Sequence, residues 1–507
     1  MDHPDLANLA CMVAAVGVAL LIAGRGRAMV VGGLALIGGG GAVLIESESG
    51  TVGLDALASG PGAVAAVLGV VVLAGAAWVF VQRPAWVPLA VLVTAPLRPP
   101  IKLVDSGFPI ALAEDGSLGR LLPLYFVLAA AALALAWRAM SKSEEGTLPV
   151  RPLPPAVALP AAALAALACA SLLWADDPRA GVESLVFFAL PLAVLFGVVG
   201  RAPFPDWMPR MLGGVAVAMT AVFAAVGLFQ AATRELFFFA PNLELSNANS
   251  SFFRVTSLFG DPSLYGRHLV VGLAIVLSVM ALRRMDARLA TGLVVLLWAG
   301  LLVSYSQSSM LALIVVTLMV AAVTGGRRVR IAVVGTFALV ALVLAGYLIS
   351  VPLRGDSLRN ETADRSERIE ETVNVIERDP VVGVGIGGQP EASKDVSGSD
   401  RPTPNFVSHT APLTVFAELG AVGFALLIWL LIGATRMLIA VWRLESGLGL
   451  ALMAVLLGVF VQSLFYPGIL DDPLTWVTLG VGAGYLTWPR RDDGTGRQAV
   501  QPVGATA

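Results

Sequence analysis

Charge is scarce in this 507-residue chain: Asp, Glu, Lys and Arg make up 13% of it, against about a quarter in soluble domains. That excludes an ordinary water-exposed globule. With 57% hydrophobic residues and a mean hydropathy of +0.82, the composition is that of a membrane protein. Lysine is nearly missing, 3 against 30 arginines, and the net charge of −2 provides no basic field, so no nucleic-acid partner is expected. Cysteine is limited to Cys11 and Cys169, each inside an apolar run, which points away from a disulfide framework or a cysteine metal cluster. Only three histidines are present, His3, His268 and His409, so a base that works near neutrality has few candidates. Met1-Asp2-His3-Pro4-Asp5 lacks the basic region of a signal peptide, and the first apolar run is expected to be a retained span.

What is present is a long series of apolar runs. About 20 such residues cross a bilayer, and roughly 14 or 15 runs qualify: 6–24, 28–45, 61–81, 84–97, 121–137, 155–174, 183–200, 208–230, 264–282, 289–306, 308–325, 331–350, 411–434, 446–467 and 474–488. The run at 84–97 is short and proline-rich, and Gly38 to Gly41 interrupt the one at 28–45. Lipid offers the backbone no partner, so the spans are expected to be helices and the fold an all-α polytopic bundle of about 14 spans. Basic residues alternate along the chain. With the C-terminus inside, Arg25, Arg83, Arg138, Arg201, Arg283, Arg327, Arg436 and Arg490 all fall on inner loops. The expected layout is N-terminal spans over 1–174, a membrane core over 175–350 with an outer loop at 231–263, an extracytoplasmic loop over 351–408, C-terminal spans over 409–489, and a cytoplasmic disordered tail over 490–507.

Two outer segments carry chemistry. The first runs from Ser250 through Arg254 to Gly260-Asp261-Pro262-Ser263, where Pro262 suits the first turn of the next helix. Phe237, Phe238, Phe239, Phe252, Phe253 and Phe259 beside it read as interface anchors. Arg267 and His268 fall one turn inside the following span, where an ionisable group faces a polar cavity or, for Arg267, snorkels to the surface.

The second is the one long polar stretch of the chain, from Val351 to Gly420. Asp364 and Glu367 form a capping box, and Ile369, Val373 and Ile376 at helical spacing predict a short amphipathic helix along the membrane surface, stopped by Pro380. Arg365 and Arg368 sit one turn apart and can grip a diphosphate together, or pair with the surrounding acids. Val381 to Gly388, with Gly383 and Gly385, lacks the ending of a nucleotide-binding loop and reads as a close backbone approach or a hinge. Gln389 to Asn405 reads as a mobile segment or lid. His409 closes the loop as either a base or a structural histidine, with Glu418 two turns further on in a supporting position. Asp471-Asp472 reads as a solvated turn.

His409-Thr410-Ala411-Pro412-Leu413 followed by Glu418-Leu419-Gly420 resembles the His-Asn-x-x-Leu…Glu-x-Gly signature of the O-antigen ligase and Wzy-type polymerase superfamily. Arg365, its helix, Pro380 and Gly383-Val384-Gly385 are similar to that family's Arg…Pro-x-x-Gly-x-Gly arrangement, and Arg254 with Gly260-Asp261-Pro262-Ser263 is similar to its Arg…Pro-Asn element. Thr410 and Ser263 stand where the family has Asn, and Gln307 where it often has Arg. The resemblance spans about Trp174 to Ile428. It implies a GT-C-like, inverting glycosyltransferase of the bacterial cytoplasmic membrane, with its site facing outside and no metal or cofactor. That enzyme takes an undecaprenyl-diphosphate-linked glycan donor and a glycan or lipid-glycan acceptor, alongside polysaccharide-assembly proteins. On this reading His409 is the catalytic residue, Arg254, Arg365, Arg368 and Arg267 bind the diphosphate, and Glu418, Pro262, Gly383 and Gly385 support them. The alternative is a polytopic transporter of a small solute or polysaccharide precursor. Against it, no internal repeat is evident and the polar residues gather at the outer rim.

Overall fold

The computed structural model describes residues 4–49, 60–99, 121–141, 150–238, 241–336, 338, 339, 342 and 365–489. Among them every regular element is helical. In chain order these are α1 (Pro4–Ala23), α2 (Arg27–Ser49), α3 (Gly60–Gln82), α4 (Val87–Thr94), α5 (Leu122–Met140), α6 (Pro155–Ala170) and α7 (Pro178–Val199). There follow α8 (Met208–Thr233), α9 (Pro241–Ala248), α10 (Pro262–Ala281), α11 (Ala287–Ser304) and α12 (Gln307–Thr324). Beyond residue 364 lie α13 (Arg365–Arg378), α14 (Gln389–Ser397), α15 (Ala411–Leu444), α16 (Ser446–Ser463) and α17 (Pro473–Thr487).

Among the described residues 11 helices are long and apolar enough to cross a membrane, or 12 if a bent pair counts as one span. The chain is a multi-pass membrane protein. The bent pair is α3 with the stretch 84–94, turned through 108° at Arg83-Pro84, where proline removes a backbone donor. The expected span at 84–97 is thus a short helix set at a sharp angle. The run at 474–488 yields the 15-residue α17, and most of 337–350 lies outside the described residues. Gly38 to Gly41 do not interrupt α2. The backbone of Gly40 packs against α1, and a Cβ there would stand 2.9 Å from Ala10 O. Glycine here buys close helix contact, a common use of small residues in membranes.

Two apolar cores lie side by side. One joins α1, α2, α5, α6 and α7 to α15 and α17, with Leu21, Leu124, Leu164, Leu195 and Phe196 fully enclosed. The other joins α8, α10, α11, α12 and α16 around Tyr265, Leu269 and Leu297. A third, small cluster of Val375, Val384, Ala392 and Ala417 fastens α13 and α14 onto α15.

The amphipathic helix expected after residue 364 is present as α13; its proposed cap, Asp364, lies outside the described residues. Its buried face is Glu371, Thr372 and Val375, while Ile369 and Val373 remain exposed. The segment expected to be mobile, 389–405, folds instead. Gln389, Ala392 and Ser393 of α14 are buried, and Phe406 is 2% exposed at the end of the 3-10 turn Thr403–Phe406. The hydrogen bonds of Gln389 and the burial of Ala392 and Phe406 together hold this segment.

Helix α15 breaks at Gly420, which has φ 62 and ψ −167. A side chain there would collide with Val381. Gly420→Ala is therefore expected to cost about 1–3 kcal/mol, read as a lower unfolding midpoint in detergent and faster proteolysis within 365–410. Gly39→Ala on α2 faces open space and is expected to leave both unchanged.

Candidate functional site

The glycine run crosses the break in α15 at close range. Val384 N donates to Ala417 O at 2.9 Å and Gly385 N to Glu418 O at 2.9 Å, while Ala421 N donates back to Pro380 O at 2.9 Å. Gly383, Gly385 and Gly387 all have positive φ, between 70 and 82, a region open mainly to glycine. The other edge of the run meets the N-terminal half: Asp176 N donates to Val384 O at 2.9 Å and Ile386 N to Ser171 Oγ at 3.0 Å. Arg378 adds an ion pair to Asp176. Of the two readings of this run, close approach is the one observed.

Glu418 does not reach the histidine directly. Its carboxyl group lies near the backbone N–H groups of Gly387 and Gln389 at the start of α14. Gln389, 1% exposed, then extends toward His409. Its side-chain amide donates to Phe406 O at 3.0 Å and Ser393 Oγ at 2.8 Å, and its Oε1 accepts from Ser408 N at 3.0 Å. On the far side of His409, Thr410 Oγ1 donates to Leu464 O at 3.2 Å. His409 is solvent-exposed between these two fixed neighbours.

Arg267 is neither snorkelling nor open to a cavity. It is 2% exposed and ion-paired with Asp472. Its Nε donates to Gln462 Oε1 at 2.6 Å, Nη1 to Gly468 O at 3.2 Å and Nη2 to Pro467 O at 3.4 Å, and its guanidinium lies 5.4 Å from the Tyr466 ring centre. All three guanidinium nitrogens are engaged, so a diphosphate could be held here only if these contacts were given up. Gln462 continues the network to Ser309 Oγ at 2.7 Å and Ser263 O at 2.8 Å. Asp472 also caps α17 through Leu474 N at 2.8 Å, so it is a buried structural anion and not a solvated turn.

Its neighbour Asp471 is exposed by surface area yet set deep among protein atoms. That burial, with the Asp472 charge beside it, pushes its carboxyl up to about 6, against the pull of Arg267. His268 packs as an aromatic ring, stacked 4.5 Å from Phe259 and edge-on to Phe223, with Nδ1 2.9 Å from Leu264 O.

Arg254 is half-buried beside the C-terminal end of α11, with Nε 3.5 Å from Ser304 O. Asn247 Oδ1 accepts from its backbone N at 2.9 Å, and Asn247 Nδ2 donates to its carbonyl at 3.0 Å. The buried Gln230 shapes the next turn, accepting from Ser257 N at 2.6 Å and donating to Ser257 O at 2.9 Å, while Ser257 sits at φ 54. Pro262 opens α10 behind the Asp261 cap, whose Oδ1 accepts from Ser263 N at 2.6 Å. Arg365 begins α13. Arg368 is committed within the protein, paired with Glu371 at 2.7 Å and 4.9 Å from the Phe406 ring centre.

Residues 292–428 match the family model described as O-antigen ligase. That match supports the resemblance to the O-antigen ligase/polymerase superfamily. The matched stretch runs from α11 through the glycine run and His409 into α15. No curated protein matches the chain. The sequence reading passed over Gln389, Gln462 and Gln230. Gln462 had a signal, an amide deep within an apolar run; Gln389 had none beyond its position after the glycines.

Breaking a buried ion pair strands a charge at a cost of about 3–5 kcal/mol. Arg267→Ala and Asp472→Ala are each expected to lower stability by that order, and the double variant by less than their sum, in denaturation of detergent-solubilised protein. Asp471 acts in a defined pH window. A carboxyl raised from 3.8 to about 6 binds its proton more tightly when folded, so its contribution to stability falls as pH rises through that range. Asp471→Asn is therefore expected to be more stable than the parent at pH 7, with the gain vanishing by pH 4, in thermal melts across that range.

Proposed function

We propose that the protein is an inverting membrane glycosyltransferase of the cytoplasmic membrane. Its site faces outside, and it moves glycan from an undecaprenyl-diphosphate-linked donor to a glycan or lipid-glycan acceptor, as a ligase or a polymerase on a GT-C-like scaffold. The observation that carries this reading is the O-antigen ligase match, because it encloses Arg365, the glycine run and His409 in one stretch. An exposed histidine with fixed neighbours suits a general base.

In the reaction, the acceptor hydroxyl oxygen bonds to the anomeric carbon while the bond from that carbon to the diphosphate oxygen breaks. The hydroxyl proton goes to His409, and the lipid diphosphate leaves with its charge held by arginine. Arg254 is the better placed of the arginines whose contacts are described: its guanidinium makes one long bond, whereas Arg267 and Arg368 are engaged. Arg365, at the start of α13, is assigned as its partner on the family motif.

The test is glycan transfer by purified protein in nanodiscs containing EDTA, supplied with an undecaprenyl-diphosphate-linked glycan. His409→Ala is expected to lower kcat by about 10²–10⁴-fold, and Arg254→Ala to reduce transfer while the protein stays folded. A ladder of products made from donor alone marks a polymerase, and a single transfer to a separate acceptor marks a ligase. Wild-type activity in both variants would overturn the assignment.

A further inference from the structure

We infer that Gln389 is the positioning residue of the histidine: it fixes the backbone on which His409 stands and ties that backbone to the break in α15. The inference rests on His409 being the base of the proposed transfer. Three observations meet at this side chain. First, it is 1% exposed in a polar segment, where a buried amide must have its hydrogen bonds met. Second, it grips both sides of one short stretch: its Nε2 holds Phe406 O at 3.0 Å and its Oε1 holds Ser408 N at 3.0 Å, the residue immediately before His409. Third, its own backbone N–H meets the carboxyl group of Glu418, two residues before the break at Gly420.

The amide geometry is what the task requires. One planar group presents a donor and an acceptor in fixed relation, so it can bridge a carbonyl and an N–H two residues apart and hold the intervening backbone in a single arrangement. An aliphatic side chain of equal length fills the space without doing this. After the 3-10 turn Thr403–Phe406 the backbone is extended at Val407. Beyond His409, the Thr410 bond to Leu464 O fixes the second anchor on the opposite side of the site. A base needs its ring held within a fraction of an ångström of the acceptor hydroxyl, and Gln389 controls the nearer of the two anchors.

Ser393 separates this role from simple packing. It accepts from the same Nε2 at 2.8 Å but lies within α14 and away from the histidine. The experiment uses full-length protein in nanodiscs with isotope-labelled histidine; with three histidines in the chain, the ring signal of His409 is identified by its loss in His409→Ala. In Gln389→Met the His409 signal is expected to shift and broaden while that of His268 stays in place. kcat for transfer from the undecaprenyl-diphosphate donor is expected to fall at least tenfold, with KM for the donor within twofold of wild type. Ser393→Ala, which removes one acceptor of Nε2 but leaves both bonds to the loop, is expected to fall between wild type and Gln389→Met in both readouts. The inference is overturned if Gln389→Met keeps the wild-type His409 signal and kcat, or if Ser393→Ala reproduces its losses. Should the wild type consume no donor while the His409 signal still responds to Gln389→Met, the positioning role stands and the glycosyl-transfer reading fails.

Discussion

A helix broken inside a membrane protein leaves backbone N–H and C=O groups that lipid cannot satisfy. In this protein the break at Gly420 is answered by the run from Pro380 to Gly385, which exchanges main-chain hydrogen bonds with Ala417, Glu418 and Ala421. The structure around the site depends on that exchange. It places α13 and α14 over the helix, brings the start of α14 to Glu418, and delivers the chain to His409. The small apolar cluster beneath these helices, Val375, Val384, Ala392 and Ala417, offers only a few side chains at about 1.5–3 kcal/mol for each large one. The hydrogen bonds therefore carry much of the specificity.

A second constraint comes from charge. Arg267 and Asp472 are removed from water together, and their pairing is completed by Gln462 and two carbonyl oxygens. Buried ions persist where every remaining donor has a partner. The network also locks the loop 464–472 between α10 and α17, and that loop supplies the carbonyl held by Thr410. The geometry around His409 thus draws on two independent supports, one polar and neutral, the other ionic.

The helical, multi-pass character was legible because lipid leaves so few backbone solutions. The helix α13 and its stop before Pro380 were legible from local pattern. Local pattern concealed the packing at three places. Gly38 to Gly41 look like a helix breaker until the facing backbone of α1 is in view. The polar run 389–405 shows no sign of order until Gln389 finds Phe406 and Ser408. Arg267 looks unpartnered until Asp472 arrives from 205 positions away. The physical origin is shared: each deciding partner lies beyond the few residues over which a helical or turn pattern can be read. On α13, Ile369 and Val373 mark the exposed apolar stripe, and Thr372 and Val375 mark the face docked on the protein.

The glycine run joins two halves of the molecule, Ser171 and Asp176 on one side and Ala417 and Glu418 on the other, and nearly every bond in the joint is made by main-chain atoms. A joint of that kind places almost no demand on side-chain identity beyond the absence of a Cβ at a few points. Most residues around it are free to drift over evolutionary time without loosening the architecture. Its demands then reduce to a few backbone positions, Gly383, Gly385, Gly387 and Gly420, where a side chain would meet main-chain atoms.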